Sequence, residues 1–369
     1  MSKRDRSPSS GGALIKRAKA DAPPTNQIAI SSKGDDRSKG LIRTVPRTSG
    51  LEAPIVSLAG AHSREILSCR FDPTGQNIAA ASADCGFSLW RTYPPTTNYG
   101  QKPHLHKAAI LDLQWSLFSS IIYTASADHT ICYTDVTTGE RVRKLRAHKG
   151  VVNAIDRTMA GGAGTELLAS AADDGFVHVW EGGDDGGKQA VATFEVGCPV
   201  TSVAWSADGT NLYAGALDNE IHVFDIRKDT EVYSLKGHSD TPTSLAVSPN
   251  GNFLLSPSFS SQVIIHDIRP FSPSPTRVHR TLVGCPAGFE QTLLRAAWSK
   301  DDGGGRVAVG GADRTVTIWD VESGKIQYKL PGHKGTVTAV DFHPKEPIIL
   351  TGSKDCTMLL GELNPGVQT

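Results

Sequence analysis

An Asp near the end of a short apolar run returns along this chain at almost constant spacing. The positions are Asp84, Asp128, Asp174, Asp218, Ser260, Asp313 and Asp355, separated by 44, 46, 44, 42, 53 and 42 residues. Six residues after each stand Trp90, Thr134, Trp180, Phe224, His266, Trp319 and Gly361, most of them aromatic. A unit of about 40–45 residues made of short strands cannot bury a core alone and must stack on its neighbours. The period and the aromatic ends of its strands predict an all-β, seven-bladed β-propeller, one four-stranded blade per repeat.

The first repeat shows how a blade reads. Ile66, Cys69 and Phe71 alternate up to the turn cluster Asp72-Pro73-Thr74-Gly75. Residues 78–82 (Ile-Ala-Ala-Ala-Ser) read as an inner strand, small enough for close sheet packing. Ala83-Asp84-Cys85-Gly86 turns the chain, and Phe87-Ser88-Leu89-Trp90 runs back. His62 precedes Asp84 by 22 residues. The same 22 separates His106 from Asp128, His238 from Ser260 and His333 from Asp355. His148 and Asp174 are 26 apart, because the Gly- and Ala-rich stretch 160–164 lengthens a turn.

This residue set resembles the WD40 family. The resemblance implies a buried hydrogen-bond chain of His, Ser, Asp and Trp in each blade. In blade one it would be His62, Ser82, Asp84 and Trp90. In blade two it would be His106, Ser126 and Asp128, in blade three His148, Asp174 and Trp180, and in blade seven His333, Ser353 and Asp355. The chemistry suits burial, since a buried Asp needs donors, a His N–H supplies one, and a Ser hydroxyl relays to the His and the indole. The same trio could suggest a nucleophilic triad. It repeats blade after blade, however, whereas a nucleophile needs one exposed site with an oxyanion hole. Blade four has Val196 at the His offset, blade five has Ser260 for the Asp, and blade six has Phe289 where the His belongs. Those three blades should rest more on apolar packing.

The chain's ends predict how the ring closes. The strand pattern at 357–363 is followed by six residues, too few for a fourth strand in blade seven. Residues 53–58 form an unpaired strand pattern before the first His, and the simplest resolution places them as that missing strand, leaving no long exposed edge. The expected division is a basic tail (1–50), a propeller (51–363) and a short C-terminal tail (364–369). Zero net charge hides an asymmetry: residues 1–50 carry 11 Lys/Arg against 4 Asp/Glu, and the remainder 27 against 34. The tail lacks periodicity and should be disordered alone. Lys16, Arg17 and Lys19 form a short basic cluster of nuclear-import type. An acidic ring disfavours broad contact with phosphate backbones, so any RNA contact falls to the tail.

Other chemistry is not supported by the sequence. The stretch 182–188 (Gly-Gly-Asp-Asp-Gly-Gly-Lys) mimics a phosphate loop, but Gln189 replaces the metal-binding hydroxyl, no helix follows, and two Asp would repel phosphate. It reads as a turn between the last two strands of blade three. Of twelve His, five belong to the repeat, and none joins Cys or carboxylates at zinc spacing. Six scattered Cys without a C-x-x-C read as small buried residues in a reducing compartment. No apolar run approaches the roughly 18 residues of a membrane span, and no h-region follows the N-terminus. No cofactor, metal, membrane or small-molecule substrate is expected.

The stretches outside the shared pattern are more specific. They are Leu51-Glu52-Ala53-Pro54-Ile55, a long insertion from Asp267-Ile268-Arg269-Pro270-Phe271 to Phe289-Glu290, 293–299 (Leu-Leu-Arg-Ala-Ala-Trp-Ser), 328–333 (Tyr-Lys-Leu-Pro-Gly-His) and 346–350 (Glu-Pro-Ile-Ile-Leu). In this order they resemble the spliceosomal WD40 subunits of the U5 small nuclear ribonucleoprotein. The resemblance implies a nuclear, non-enzymatic scaffold for pre-mRNA splicing that docks on the particle's large core scaffold protein, beside its helicase and GTPase. It also implies that residues just before the turn Asp lie on one face. Asp173, Leu217, Phe259 and Lys354, with Arg64 and Glu65 nearby, are therefore the candidate partner contacts, Phe259 foremost. Asp225-Ile226-Arg227 and Asp267-Ile268-Arg269 resemble the Asp-x-Arg boxes of WD40 substrate receptors in cullin-RING ubiquitin ligases, which is the alternative function.

Overall fold

The computed structural model describes Arg47 and residues 49–159, 164–183, 186–300 and 304–364. The chain divides into two units, Met1–Arg47 and Thr48–Thr369. The basic tail with Lys16, Arg17 and Lys19 lies outside the described residues, as do 160–163, Asp184 and Asp185, and 365–369. The second unit is built of strands alone among the described residues.

One strand, β1 (Ile55–Leu58), precedes the first repeat. Blade one is β2 (Ile66–Phe71), β3 (Asn77–Ser82), β4 (Phe87–Arg91) and β5 (Asn98–Lys102). Blade two is β6 (Ile110–Trp115), β7 (Ile121–Ser126), β8 (Ile131–Asp135) and β9 (Arg141–Leu145). Blade three is β10 (Val152–Met159), β11 (Glu166–Ala172), β12 (Phe176–Glu181) and β13 (Ala192–Glu195). Blade four is β14 (Val200–Trp205), β15 (Asn211–Ala216), β16 (Ile221–Asp225) and β17 (Thr230–Leu235). Blade five is β18 (Ala246–Val247), β19 (Phe253–Pro257), β20 (Gln262–Asp267) and β21 (Val278–Val283). Blade six is β22 (Ala296–Trp298), β23 (Arg306–Gly310), β24 (Val316–Asp320) and β25 (Ile326–Leu330). Blade seven has β26 (Val337–Phe342), β27 (Ile348–Ser353) and β28 (Met358–Glu362).

The seven four-stranded sheets are all antiparallel meanders, so the seven-bladed expectation holds. In blade seven the order is β1-β28-β27-β26. β1 pairs with β28 from Ile55↔Gly361 to Leu58↔Met358, as the leftover strand pattern predicted. Leu51 and Leu58 are buried in one cluster with Leu350, Met358 and Leu360. The N–H of Ser49 adds a 3.0 Å bond to Glu362 Oε1. The insertion expected between Asp267 and Glu290 is not one loop. Its residues 278–283 form β21, the outer strand of blade five. The extra length is split between the hairpin loop 268–277 and the connection 284–295.

The blades are stitched at their inner strands. Five inner strands carry a bulge near the same place, for example between Val152 and Ala154, between Val200 and Ser202 and between Val337 and Ala339. A bulged residue points its side chain sideways, and in the three blades where it is Asn or Thr it donates to the next blade. Asn153 Nδ2 reaches the Val200 carbonyl at 2.9 Å, Thr201 Oγ1 the Pro242 carbonyl at 2.6 Å, and Thr338 Oγ1 the Ile66 carbonyl at 2.5 Å. Trp115, Trp205 and Trp298 send indole N–H groups to the Arg70, Asp156 and Ala246 carbonyls of the preceding blade. The core therefore lies between blades, as in the cluster of Ala79, Ala81 and Leu89 with Leu113, Trp115 and Ile122.

Candidate protein-docking face

Alternating strand direction sorts the connections. The turns from first to second and from third to fourth strand lie on one face. The turns from second to third strand, and the blade-to-blade connections, lie on the other. That second face holds every recurring Asp, every repeat His and all the candidate contact residues.

The recurring Asp first makes the turn. The residue after it is left-handed in all seven blades: Cys85, His129, Gly175, Asn219, Ser261, Arg314 and Cys356 have φ from 63° to 80°. In six of them the Asp carboxylate accepts the N–H two residues on, at 3.0–3.2 Å, from Gly86, Thr130, Phe176, Glu220, Thr315 and Thr357. This side-chain mimic of a backbone turn offsets the cost of the left-handed residue. It also explains why blades four and six keep Asp218 and Asp313 without a repeat His. In blade five Ser260 replaces the Asp, and its Oγ pairs with Ser258 Oγ at 2.6 Å.

Four blades add the His. His62 Nδ1 lies 2.9 Å from Asp84, His106 Nδ1 3.1 Å from Asp128, His148 Nδ1 3.1 Å from Asp174 and His333 Nδ1 3.1 Å from Asp355. The N–H after each His, from Ser63, Lys107, Lys149 and Lys334, donates to the same carboxylate. Only Gly suits the next position in blade three, because a Cβ on Gly150 would come within 2.6 Å of Asp174 N. Burial pushes the Asp84 carboxyl up. The His62 bond and charge and two backbone N–H groups outweigh it, so its pKa lies below the usual carboxylate range. The same balance, led by burial against the Thr357 hydroxyl and backbone donors, brings Asp355 down to about 2.

The relay hydroxyl is not where the resemblance implied. Ser82 Oγ donates to the Arg64 carbonyl at 3.1 Å and accepts from Asp84 N, so it fastens the turn to the blade connection. Ser126 does the same with Ala108 O and Asp128 N, and Ser353 accepts from Asp355 N. The hydroxyl that meets His62 Nε2, at 2.8 Å, is Ser88, which also accepts the Trp90 indole N–H at 2.9 Å. In blade three Ser170 plays this part, 2.7 Å from His148 Nε2 and 2.9 Å from Trp180 Nε1. Thr124 and Thr351 serve His106 and His333. Ser88 and Ser170 sit on different strands but in one cross-strand pair, Ala80↔Ser88 and Ser170↔His178. A buried point between the two strands needs one hydroxyl, and either strand can supply it. Burial lowers the His148 and His333 pKa values more than their aspartates raise them. A neutral ring with its proton on Nδ1 then satisfies every atom of the chain.

Blades four to six lack the full chain, of which blade five keeps only His238 Nε2 at 2.6 Å from Ser256 Oγ. Phe194 and Phe224 pack with ring centroids 4.9 Å apart, and the Trp319 indole donates to Val283 O. His238 Nδ1 and both ring nitrogens of His266 are buried with no partner. Burial takes His238 down to about 4 and, with the His238 charge, His266 down to about 3. The same three blades carry the apolar surface of this face. Leu217 is 54 % exposed and Phe289 fully exposed, while Phe259 is half-buried between them. Hydrogen bonds fix their order: Thr241 bonds Asn219 and accepts from Phe259 N, and Ser261 accepts from Ala287 N.

The other candidates are less free. Asp173 is exposed but accepts from Asn153 Nδ2 at 2.7 Å. The Lys354 ammonium lies 2.5 Å from Glu290, bridging blade seven's turn to the connection beside Phe289. Arg64 is exposed and Glu65 half-buried, with their carbonyls holding Ser82 Oγ and Ala83 N. Phe289 stands 24 residues before Asp313, so the 22-residue His offset falls on Gln291 and the repeat pattern gives Phe289 no role of its own. Its signal is a large aromatic in a connection where other blades place a polar residue. The Asp-x-Arg boxes are strand-end caps here: Asp225 accepts the N–H groups of Arg227 and Lys228, and Asp267 holds the Arg269 N–H and guanidinium. Asp135, with no Arg two residues on, caps its turn in the same way.

The family profile described as "WD domain, G-beta repeat" matches residues 53–91, 100–135, 139–181, 188–225, 229–267 and 324–360. The chain is 40 % identical over 341 residues to the U5 small nuclear ribonucleoprotein 40 kDa protein of Dictyostelium discoideum, covering 92 % of each chain. The chain belongs to the WD40-repeat family, among the U5 40 kDa proteins. The human U5 40 kDa protein is 37 % identical over 318 residues, 86 % of each chain. The fission-yeast pre-mRNA-splicing factor cwf17 is 38 % identical over 318 residues, 86 % of this chain and 90 % of its own. The WD40 profile passes over the sixth blade, where the structure nevertheless completes a sheet from β22 to β25.

Proposed function

We propose that this WD40 protein is a non-catalytic subunit of the U5 small nuclear ribonucleoprotein, acting in nuclear pre-mRNA splicing. It docks on the large core scaffold protein of that particle, with the helicase and GTPase as neighbours. The observation that carries the reading is similarity to U5 40 kDa proteins over almost the whole of both chains. The structure supplies a fitting surface. A ring stitched blade to blade offers a rigid face that holds an extended segment without changing shape. Leu217, Phe259 and Phe289 give that face apolar anchors in adjacent blades, with Asp173, Arg64 and the Lys354–Glu290 pair around them. The basic tail, with Lys16, Arg17 and Lys19, directs nuclear import and makes whatever RNA contact the subunit has.

Recovery of partners on tagged protein tests the assignment. Phe259→Ala should weaken capture of the scaffold, and Leu217→Ala with Phe289→Ala should deepen the loss. An anchor contributing about 2 kcal/mol corresponds to roughly thirtyfold in affinity. Unchanged recovery in the triple variant would reject this face as the docking site.

A further inference from the structure

The axial channel holds a cavity of about 570 Å³, lined by the inner strands of all seven blades. Four cations and three carboxylates face it: Arg70, Arg157, Arg295 and Lys300 against Asp112, Asp156 and Asp341. The carboxylates are engaged by the ring. Asp341 accepts from Phe71 N at 3.0 Å and from Lys300 Nζ at 3.1 Å. Asp112 accepts from Ile155 N at 3.0 Å and Ser68 Oγ at 3.0 Å, and it pairs with Arg295 at 3.3 Å. Asp156 accepts from Trp205 N at 2.8 Å. Arg295 also donates to the Leu111 and Asn153 carbonyls.

Two guanidiniums remain. Among the described residues, neither Arg70 nor Arg157 donates a side-chain hydrogen bond or pairs with a carboxylate within 4.0 Å. The Nε of each is shielded from solvent with no partner. Each guanidinium carries five N–H donors in a rigid fork. The shielded Nε–H groups are the ones costly to leave without acceptors, while the other donors open onto the channel, where an oxyanion can reach them. Burial lowers the Arg157 pKa against Asp156 and Glu166, with a smaller lowering from the Arg70 charge. At Arg70 burial is outweighed by Asp112, Asp341 and Asp156, which raise its pKa. A bridging anion would supply the missing acceptors.

We propose that the channel binds a small multivalent oxyanion, a polyphosphate or a polycarboxylate, gripped by the guanidiniums of Arg70 and Arg157. The ring as a whole is acidic, but the cavity wall carries one more cation than carboxylate, and forked Arg donors match oxyanion geometry.

Titration calorimetry and thermal melts on the full chain test this, with tripolyphosphate and citrate as probes. Saturable one-site binding and a melting midpoint raised above that in sodium chloride of equal ionic strength are expected. Binding of tripolyphosphate alone assigns phosphate, and binding of citrate alone assigns carboxylate. Arg70→Gln and Arg157→Gln should each weaken binding by about tenfold, the loss of one charge-assisted hydrogen bond. Lys16→Gln/Arg17→Gln/Lys19→Gln in the basic tail should leave it unchanged. The proposal is overturned if neither anion raises the wild-type midpoint, whatever the variants do. It is equally overturned if the tail variant abolishes binding while the two Arg variants retain it.

Discussion

Replacing Ser88 by Ala is the sharpest test of how a blade is held together. The Ser88 hydroxyl, fully buried, lies between His62 Nε2 at 2.8 Å and Trp90 Nε1 at 2.9 Å. Its removal leaves an acceptor and a donor unpaired, each costing about 1–3 kcal/mol when buried. We expect a loss of about 3 kcal/mol. Ser82→Ala, which removes two part-buried bonds fastening a turn, should cost less, about 1–2 kcal/mol. Ala80 faces Ser88 across the pair β3–β4, at the position where blade three carries Ser170. Ala80→Ser combined with Ser88→Ala should therefore restore more than half of the loss. Urea unfolding followed by Trp fluorescence and circular dichroism reads these differences, provided the two transitions coincide. A Ser88→Ala variant as stable as wild type, or one cheaper than Ser82→Ala, would refute the relay.

Three further outcomes follow from the same structure. Deleting residues 51–58 removes β1, exposes the β28 edge and loses burial of Leu51 and Leu58, about 1.5–3 kcal/mol each. We expect insoluble or unfolded protein, and a soluble deletion with a cooperative melt would contradict the closure. Asp313→Ala should cost about 1–2 kcal/mol and Asp313→Asn less, because an amide oxygen still accepts the Thr315 N–H and only the surface ion pair with Lys329 is lost. Equal losses in urea unfolding would contradict the turn role. The folded pKa values of His178, His238 and His266 are pushed down to about 4, 4 and 3, chiefly by burial. Their contribution to stability is present above the unfolded value of about 6.5 and is lost as pH falls towards the folded values. Near pH 5 unfolding should take up about three protons, a slope of about 4 kcal/mol per pH unit. A flat profile between pH 6.5 and 4 would show that these rings are not buried neutral.

The repeat period, the blade count and the closing strand were legible because each rests on a pattern that backbone geometry enforces. The turn Asp recurs because it closes a left-handed turn in six blades, a local need that is visible in one dimension. The relay hydroxyl was not legible, because the requirement belongs to a point in space between two strands. Ser88 and Ser170 meet it from opposite sides, and only the pairing register shows them to be equivalent. Ser82, Ser126 and Ser353 were conspicuous in the sequence and have another task, fastening turns to connections. The strand β21 was hidden inside an apparent insertion because Val278, Thr281 and Val283 follow a Pro- and Ser-rich loop without a repeat marker. The channel guanidiniums could not be read as a site from sequence, since missing partners are a property of the folded ring, and Phe289 left only the signal of an aromatic in a connection that is polar elsewhere.

A ring that docks in the splicing machinery should carry the particle's RNA and proteins with it. Tagged full-length protein recovered from nuclear extract, with its bound RNAs and proteins identified, decides this. We expect U5 small nuclear RNA and a very large scaffold protein, both lost together in the Leu217→Ala/Phe259→Ala/Phe289→Ala variant. A cullin-RING adaptor recovered without spliceosomal RNA would contradict it.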